Sequence, residues 1–216
     1  MKNRLTLTIL LVIGFASNLF ATAQSPDKII YNQTEYNLQI NPLEQYFLKN
    51  PNKRPKPSIH SSSLWRGYIA TFEIRQNELF LIDIKIQTLE KDNQDNYVWK
   101  SVVSEIFPDF KSKKLEWFEG LLILPFGKLI NYVHLDYGST FENYVLLNLK
   151  SGTLIKERKL SGEEFEFFKK AKFSLYQKTK EYEDEKSKLV AENWKQREID
   201  YFLGSFIESY IMINED

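Results

Sequence analysis

Apolar and polar residues alternate with a period of two along much of the first 160 positions, which is typical of half-buried β-strands. The clearest case is the pair of segments 65–74 and 78–86, which Arg75-Gln76-Asn77 joins as a turn. Each segment therefore offers one apolar face to a core. The residues predicted on that face are Tyr68, Ala70, Phe72 and Ile74 in the first strand, and Phe80, Ile82, Ile84 and Ile86 in the second.

Similar patterns predict further hairpins and two short helices in the same part of the chain. The predicted hairpins turn at 32–33, 125–127 and 151–152, where the sequence supplies Asn-Gln, Pro-Phe-Gly and Ser-Gly. A short helix is predicted over 42–48, with Pro42 at its first position, and another over about 100–107. The three prolines between 51 and 57 predict an extended surface loop.

After residue 160 the pattern becomes helical. Ser161 and Glu164 have the spacing of a capping box, and no proline follows Gly162. Two helices are predicted, with a break near 188–196. The expected fold is α+β: an antiparallel sheet of consecutive hairpins, a short early helix and two C-terminal helices. Residues 24–160 are predicted to form the β-rich domain, and 161–216 a helical segment packed on it or extending from it.

The N-terminus has the order of a secretory signal. Lys2 and Arg4 precede an apolar run over 5–15, and Ala21-Thr22-Ala23 supplies small residues in the spacing that signal peptidase needs. Residues 1–23 are predicted to be a signal peptide, with Gln24 as the new terminus. The expected location is the periplasm or the exterior, without membrane attachment after cleavage. The alternative is an uncleaved anchor over 5–23, which is just long enough to span a bilayer.

The amino-acid composition excludes several kinds of functional site and partner. The chain has no cysteine, so disulfides, thiolate nucleophiles and cysteine-based zinc sites are excluded. It has 29 basic and 29 acidic residues, and this balance gives no basic excess for a nucleic-acid partner. No cofactor is indicated. Aromatic residues make up 15% of the chain, enough to fill a large core.

His134 marks one candidate for chemistry, in the string YVHLDYGSTFE. Strand alternation would place His134 and Asp136 on one face, with Ser139 near the following turn. A hydrolase would use Ser139 as nucleophile, His134 as base and Asp136 to orient it. A metal site would instead combine His134 and Asp136 with Glu142. A His-x-Asp pair in a strand is more often a pair on the solvent face.

Trp65, Arg66 and Tyr68 form the second candidate, around Gly67. As a binding site they would make an aromatic and cationic ledge for a glycan, a peptide or a carboxylate. As structure, the two aromatic residues would close the edge of the sheet, and Arg66 would pair with a carboxylate. The expected partner is Glu73, Glu119 or Asp136, because an unpaired guanidinium is very costly to bury. The alternative is a bulge at Gly67 that turns Arg66 outward.

Several strings of this chain resemble those of a bacterial family of uncharacterised proteins. They are LWRGYIATFEI, LFLIDIKI and WFEGLLILPFGKLINYVHLDYGSTFENY, within residues 30–152. The resemblance implies one structural unit and carries no activity, cofactor or catalytic residue.

The sequence as a whole favours an exported, non-enzymatic binding or interaction module for a protein, peptide or glycan ligand. The alternative is a hydrolase or metal-dependent enzyme that uses the His134, Asp136 and Ser139 region.

Overall fold

A computed structural model describes residues 23–57, 59, 61–90, 96–108, 113–134 and 137–205. The predicted signal peptide lies outside the described residues, apart from Ala23. Asp136 also lies outside them.

The described part of the chain forms a mixed α+β fold, as predicted. Its strands are β1 Lys28–Tyr31, β2 Thr34–Asn37, β3 Ile69–Arg75, β4 Glu78–Leu89, β5 Tyr97–Ser101, β6 Lys113–Lys114, β7 Gly120–Asn131, β8 Thr140–Lys150 and β9 Thr153–Ser161. Its α-helices are α1 Leu43–Lys49, α2 Val103–Ile106, α3 Gly162–Tyr176, α4 Lys180–Ala191 and α5 Gln196–Ser205, and short 3-10 turns span Pro51–Lys53 and Ser62–Leu64.

The strands form one curved sheet in the order β2-β1-β3-β4-β9-β8-β7, with β5 and β6 also paired to β4. The pairs are antiparallel except for β1 and β3, which run parallel. The sheet curls until its ends meet: the Gln39 amide donates to the Ile123 carbonyl at 3.0 Å, and the rings of Tyr36 and Phe126 pack edge to face.

The first half of β7, residues 120–125, is buried on both faces, and this explains its continuous apolar start, GLLIL. Leu122 and Leu124 face the main core, inside the curved sheet. Leu121 and Ile123 face a second cluster, which the C-terminal helices complete with Phe165, Tyr176, Tyr182, Ile199 and Leu203. The helical segment therefore packs on the outer face of β7 and β8.

A β-bulge in β4 changes the predicted face of that strand. Asp83 lies opposite Thr71, but Leu81 lies opposite Phe72, so Ile82 is the extra residue. The bulge reverses the alternation at this point, because one inserted residue moves every later side chain to the other face. Ile84 and Ile86 are in the core as predicted, whereas Leu79 and Leu81 are buried in place of Phe80 and Ile82.

The predicted turn at 125–127 is wrong. Pro125 and Phe126 continue β7 and pair with Tyr144 and Asn143. Gly127 has φ +82° and precedes a register shift, so it forms a bulge inside a long strand. The connection to β8 comes later, between Asn131 and Thr140. The turn at 151–152 is confirmed, with positive φ at both residues as a tight hairpin requires.

The predicted helices are confirmed in part. Helix α1 begins and ends one residue later than the predicted range 42–48. The segment predicted as a helix over 100–107 ends β5 first, and only Val103–Ile106 is helical.

The C-terminal helices begin as predicted but are more numerous. At the start of α3, Ser161 and Glu164 make both hydrogen bonds of the capping box. The break near 188–196 is present between α4 and α5. A second break, after Tyr176, divides the segment into three helices, and Thr179 caps the next one. None of the described helices is both long enough and apolar enough to cross a membrane.

Candidate functional site

Arg66 lies in a turn before β3, not within a strand. The 3-10 turn Ser62–Leu64 leads into it, and the Gly67 amide closes the turn by donating to the Leu64 carbonyl at 2.9 Å. Gly67 has φ +80°, and a Cβ there would lie 2.6 Å from the ring of Pro57, so the position requires glycine. The turn directs the Arg66 side chain into the protein, where the residue is only 2% exposed.

Inside the protein, the Arg66 guanidinium contacts three groups that are distant in sequence. It donates to the Ser25 carbonyl at 2.8 Å, to the Tyr137 hydroxyl at 3.2 Å and to Asp27 Oδ1 at 3.4 Å. A carboxylate partner is therefore present as predicted, but it is Asp27 and not Glu73 or Glu119, and the third candidate, Asp136, lies outside the described residues. Glu73 pairs with Arg75, and Glu119 is exposed.

Asp27 completes a buried ion pair that is incompletely hydrogen-bonded. Its Oδ1 also accepts from the Ala70 amide at 2.8 Å, which ties the pair to the start of β3. Among the described residues, Asp27 Oδ2 and Arg66 Nε have no hydrogen-bond partner although both are buried. Such atoms lose their hydration without full replacement, which makes the pair costly to bury.

Burial has opposite outcomes for the two charges. Desolvation raises the pKa of Asp27 to about 6, because it outweighs the attraction of Arg66 and the hydrogen bond from Ala70. Desolvation also opposes the charge of Arg66, but the attraction of Asp27, Tyr137 and Tyr68 outweighs it and raises the pKa of Arg66. Arg66 therefore stays charged, and Asp27 is the member of the pair that titrates.

A second polar group adjoins this pair. The Tyr68 ring lies under Arg66, with the guanidinium carbon 5.7 Å from the ring centroid, and the Tyr68 hydroxyl donates to Glu44 at 2.8 Å. Glu44 also accepts two hydrogen bonds from Arg54, at 3.0 and 2.5 Å. Burial raises the pKa of Tyr68 well above its ordinary value, and the nearby carboxylates of Asp27 and Glu44 add to this effect. The network thus fastens the N-terminal segment, α1 and β3 to one another.

The predicted ledge of Trp65, Arg66 and Tyr68 is not formed at the surface. Trp65 is 58% exposed, whereas Arg66 and Tyr68 are buried. A ligand approaching from solvent would meet Trp65 alone.

The loop that carries His134 shows no assembled catalytic group in its described part. The Ser139 hydroxyl accepts from the Val133 amide at 3.0 Å and lies 3.3 Å from the Val133 carbonyl, which closes the loop. His134 is exposed, and its ring packs against Tyr132 at 4.7 Å between centroids. Among the described residues, no three metal-ligating side chains cluster, and Glu142 accepts instead from the Lys128 amide.

A surface that the sequence prediction missed lies on β5. All five residues of this strand are exposed, and Tyr97, Val98 and Trp99 are large and apolar. Within the described residues β5 pairs only with β4, so its other edge has no strand partner. The pattern YVWKSVVSEIF fits a strand or a short helix, and the β-forming residues Tyr, Val and Trp were the signal for a strand.

The side chains of β5 divide between two faces. Tyr97 lies opposite Leu89, which is also exposed, and Trp99 lies opposite Gln87. On the other face Val98 lies opposite Thr88, and Lys100 lies opposite Ile86. We call this pair of strands, residues 85–89 and 97–101, the exposed ribbon.

A basic pocket of about 280 Å³ adjoins the end of the exposed ribbon. The segment after α1 supplies Lys53, Arg54 and Lys56 to its wall. Ile86, Val102 and Ile106 supply apolar surface, and Glu105 is its single acidic residue.

Comparisons of the chain with protein-family models, curated proteins and solved structures found no match. The resemblance to a bacterial family therefore stays a prediction.

Proposed function

We propose that this protein is an exported, non-enzymatic binding module and that the exposed ribbon is its binding surface. The observation that carries the proposal is strand β5, which exposes Tyr97, Val98 and Trp99 next to an edge without a strand partner among the described residues.

Such an edge is unusual for a protein without a partner. Unpaired backbone amides and carbonyls attract other strands, and proteins commonly protect an edge with charge, proline or a covering element. Here the strand carries one charged residue, Lys100, and three large apolar ones. A partner that covers both the edge and these side chains removes the cost of their exposure.

The contacts of the His134 loop favour binding over catalysis. A serine nucleophile needs a base within hydrogen-bond reach. The Ser139 hydroxyl is instead occupied with both backbone groups of Val133, and His134 packs on Tyr132.

Export is supported by the order of basic, apolar and small residues over 2–23. The absence of cysteine fits any compartment, so it neither supports nor opposes export.

The binding proposal can be tested by selecting linear peptides from a random display library, with the exported protein as bait. We expect the native protein to enrich peptides and the double variant Tyr97→Ser/Trp99→Ser to lose them. Trp65→Ser is the matched control, because Trp65 is similarly exposed but belongs to neither strand of the ribbon. Enrichment that survives in the double variant, or no enrichment by the native protein, would contradict the proposal.

The hydrolase alternative has its own test. A fluorophosphonate probe labels activated serines, so an enzyme that uses Ser139 would be labelled and Ser139→Ala would not. We expect the native protein and Ser139→Ala to show the same background.

A further inference from the structure

We propose that the exposed ribbon binds an acidic peptide in extended conformation. The peptide adds as a strand to β5 and places one carboxylate in the basic pocket. This inference rests on the proposed binding function and specifies the chemistry of the partner.

The geometry of β5 favours a strand over a flat ligand such as a sugar ring. A ring stacked on Tyr97 and Trp99 would cover one face of the ribbon only. It would leave Val98 exposed on the other face and the backbone edge unpaired. An added strand satisfies the edge by backbone hydrogen bonds and presents alternate side chains to both faces.

The pairing register connects the edge to the pocket. Ile86 lines the pocket and pairs directly with Lys100, so Val98 and Lys100 share its face of the ribbon. Val102, which follows β5 immediately, also lines the pocket. A peptide strand beside β5 therefore directs alternate side chains toward the pocket face, at the end where β5 finishes.

The charges of the pocket select an acidic side chain. Arg54 is neutralised by its two hydrogen bonds with Glu44, and Glu105 is paired with Lys100 at 2.7 Å. Lys53 and Lys56 remain. Lys53 Nζ donates to the Ile106 carbonyl at 3.5 Å, and no carboxylate of the described residues pairs with either lysine. The pocket thus combines a net positive charge with the apolar surface of Ile86 and Ile106, which suits a carboxylate on a short aliphatic stem.

Strand β5 itself offers a second copy of this chain no acidic residue. If two β5 strands paired antiparallel around Trp99, each Lys100 would lie opposite a Val98. Acids for the pocket would then have to come from outside the paired strands, and the oligomeric state in solution distinguishes this occupant from a peptide.

The test uses fluorescent seven-residue peptides of alternating threonine and valine, with one glutamate moved along the positions. Peptides with lysine at the same positions are the comparison, and binding to the exported protein is measured by fluorescence anisotropy. We expect the best glutamate peptide to bind at least about tenfold more tightly than its lysine counterpart, which corresponds to about 1.4 kcal/mol. Added salt should reduce this preference.

Two sets of variants separate the pocket from the edge. Lys53→Ala/Lys56→Ala should remove the preference for glutamate, whereas Lys150→Ala/Lys156→Ala, which removes two exposed lysines outside the pocket, should keep it. Thermal melts confirm that each variant is folded.

Peptides that are N-methylated at alternate positions test the edge itself. In an antiparallel pair alternate residues exchange their backbone hydrogen bonds with the neighbouring strand. N-methylation of the peptide residues whose amides face β5 should abolish binding. N-methylation of the alternate residues, whose amides point away from β5, should be tolerated.

The inference is overturned if glutamate and lysine peptides bind equally tightly. It is also overturned if both methylated sets of peptides bind, or if neither binds. A third contrary result is a dimer, seen in sedimentation, that Trp99→Ser dissociates. If the display library yields ribbon-dependent peptides without acidic residues, the binding function stands and this inference fails. If neither the library nor the designed peptides bind, both fail.

Discussion

Replacing Asp27 by asparagine should remove from the pH dependence of folding stability the part that this buried carboxyl supplies. Asparagine keeps the oxygen that accepts from Ala70 and Arg66, and it removes the group that titrates. The variant also leaves Arg66 without its anion, which changes stability at every pH, so the value at a single pH does not report the titration. The measured quantity is therefore the change in stability with pH.

The sign follows from the direction of the pKa shift. Burial raises the pKa of Asp27 from 3.8 to about 6, so the folded protein binds this proton more tightly than the unfolded chain. The stability from this proton is fully present below pH 3.8, and it is lost as pH rises to about 6. The two pKa values correspond to a loss of about 3 kcal/mol across that window.

The assay is urea unfolding of the native protein and Asp27→Asn in parallel, at intervals from about pH 3 to about pH 8, so that the range extends below both unfolded pKa values. The difference between the two curves isolates Asp27, because other carboxylates are common to both. Glu164→Gln is a control of opposite sign, since hydrogen bonds from Ser161 lower the pKa of Glu164 and its contribution is lost as pH falls. Parallel curves for the native protein and Asp27→Asn would refute the reasoning. A ¹³C titration of the Asp27 carboxyl, with a midpoint near pH 6, tests the same point should the variant not fold.

Three further predictions concern other parts of the chain. Arg66→Lys should lower the melting temperature although the charge is kept, because one ammonium does not reach the three acceptors of the guanidinium. Arg75→Lys, at an exposed ion pair, should change the melting temperature little, and equal shifts in the two variants would contradict the buried role of Arg66. Leu81→Ala should destabilise by about 2–5 kcal/mol and Ile82→Ala by clearly less, and the reverse order in urea unfolding would show that β4 lacks the bulge. N-terminal sequencing of the exported protein should begin at Gln24, and a product that retains Lys2 would support the anchor instead.

The burial of Arg66 could be predicted from its neighbours in sequence, but the identity of its partner could not. The sequence predicted that Arg66 is buried beside a carboxylate, because an arginine between large aromatic residues at the start of a strand needs a partner. Asp27 lies 39 positions earlier and Tyr137 lies 71 positions later. Nothing in the neighbouring sequence distinguishes Asp27 from other acids, because the contact depends on the parallel pairing of β1 and β3.

For the exposed ribbon, too, the sequence indicates the residue types of a strand but not where that strand lies in the sheet. Tyr97, Val98 and Trp99 have residue types that favour a strand, but a short apolar run also fits a helix or a core segment. Only the tertiary structure places β5 beyond the end of β3, where no other described strand covers its edge.

Several elements of the fold can be predicted from short stretches of sequence, because local chemistry specifies them. Period-two alternation placed the β3–β4 hairpin, Ser151-Gly152 set the turn between β8 and β9, and the Ser161–Glu164 capping box began the helical segment. These signals come from residues within a few positions of one another, so they act before any distant contact forms. Packing between distant strands produces the bulge at Ile82, buries the first half of β7 on both faces and brings Asp27 to Arg66. Each of these depends on which strands meet across the curved sheet, and that is fixed by the packing of the whole core.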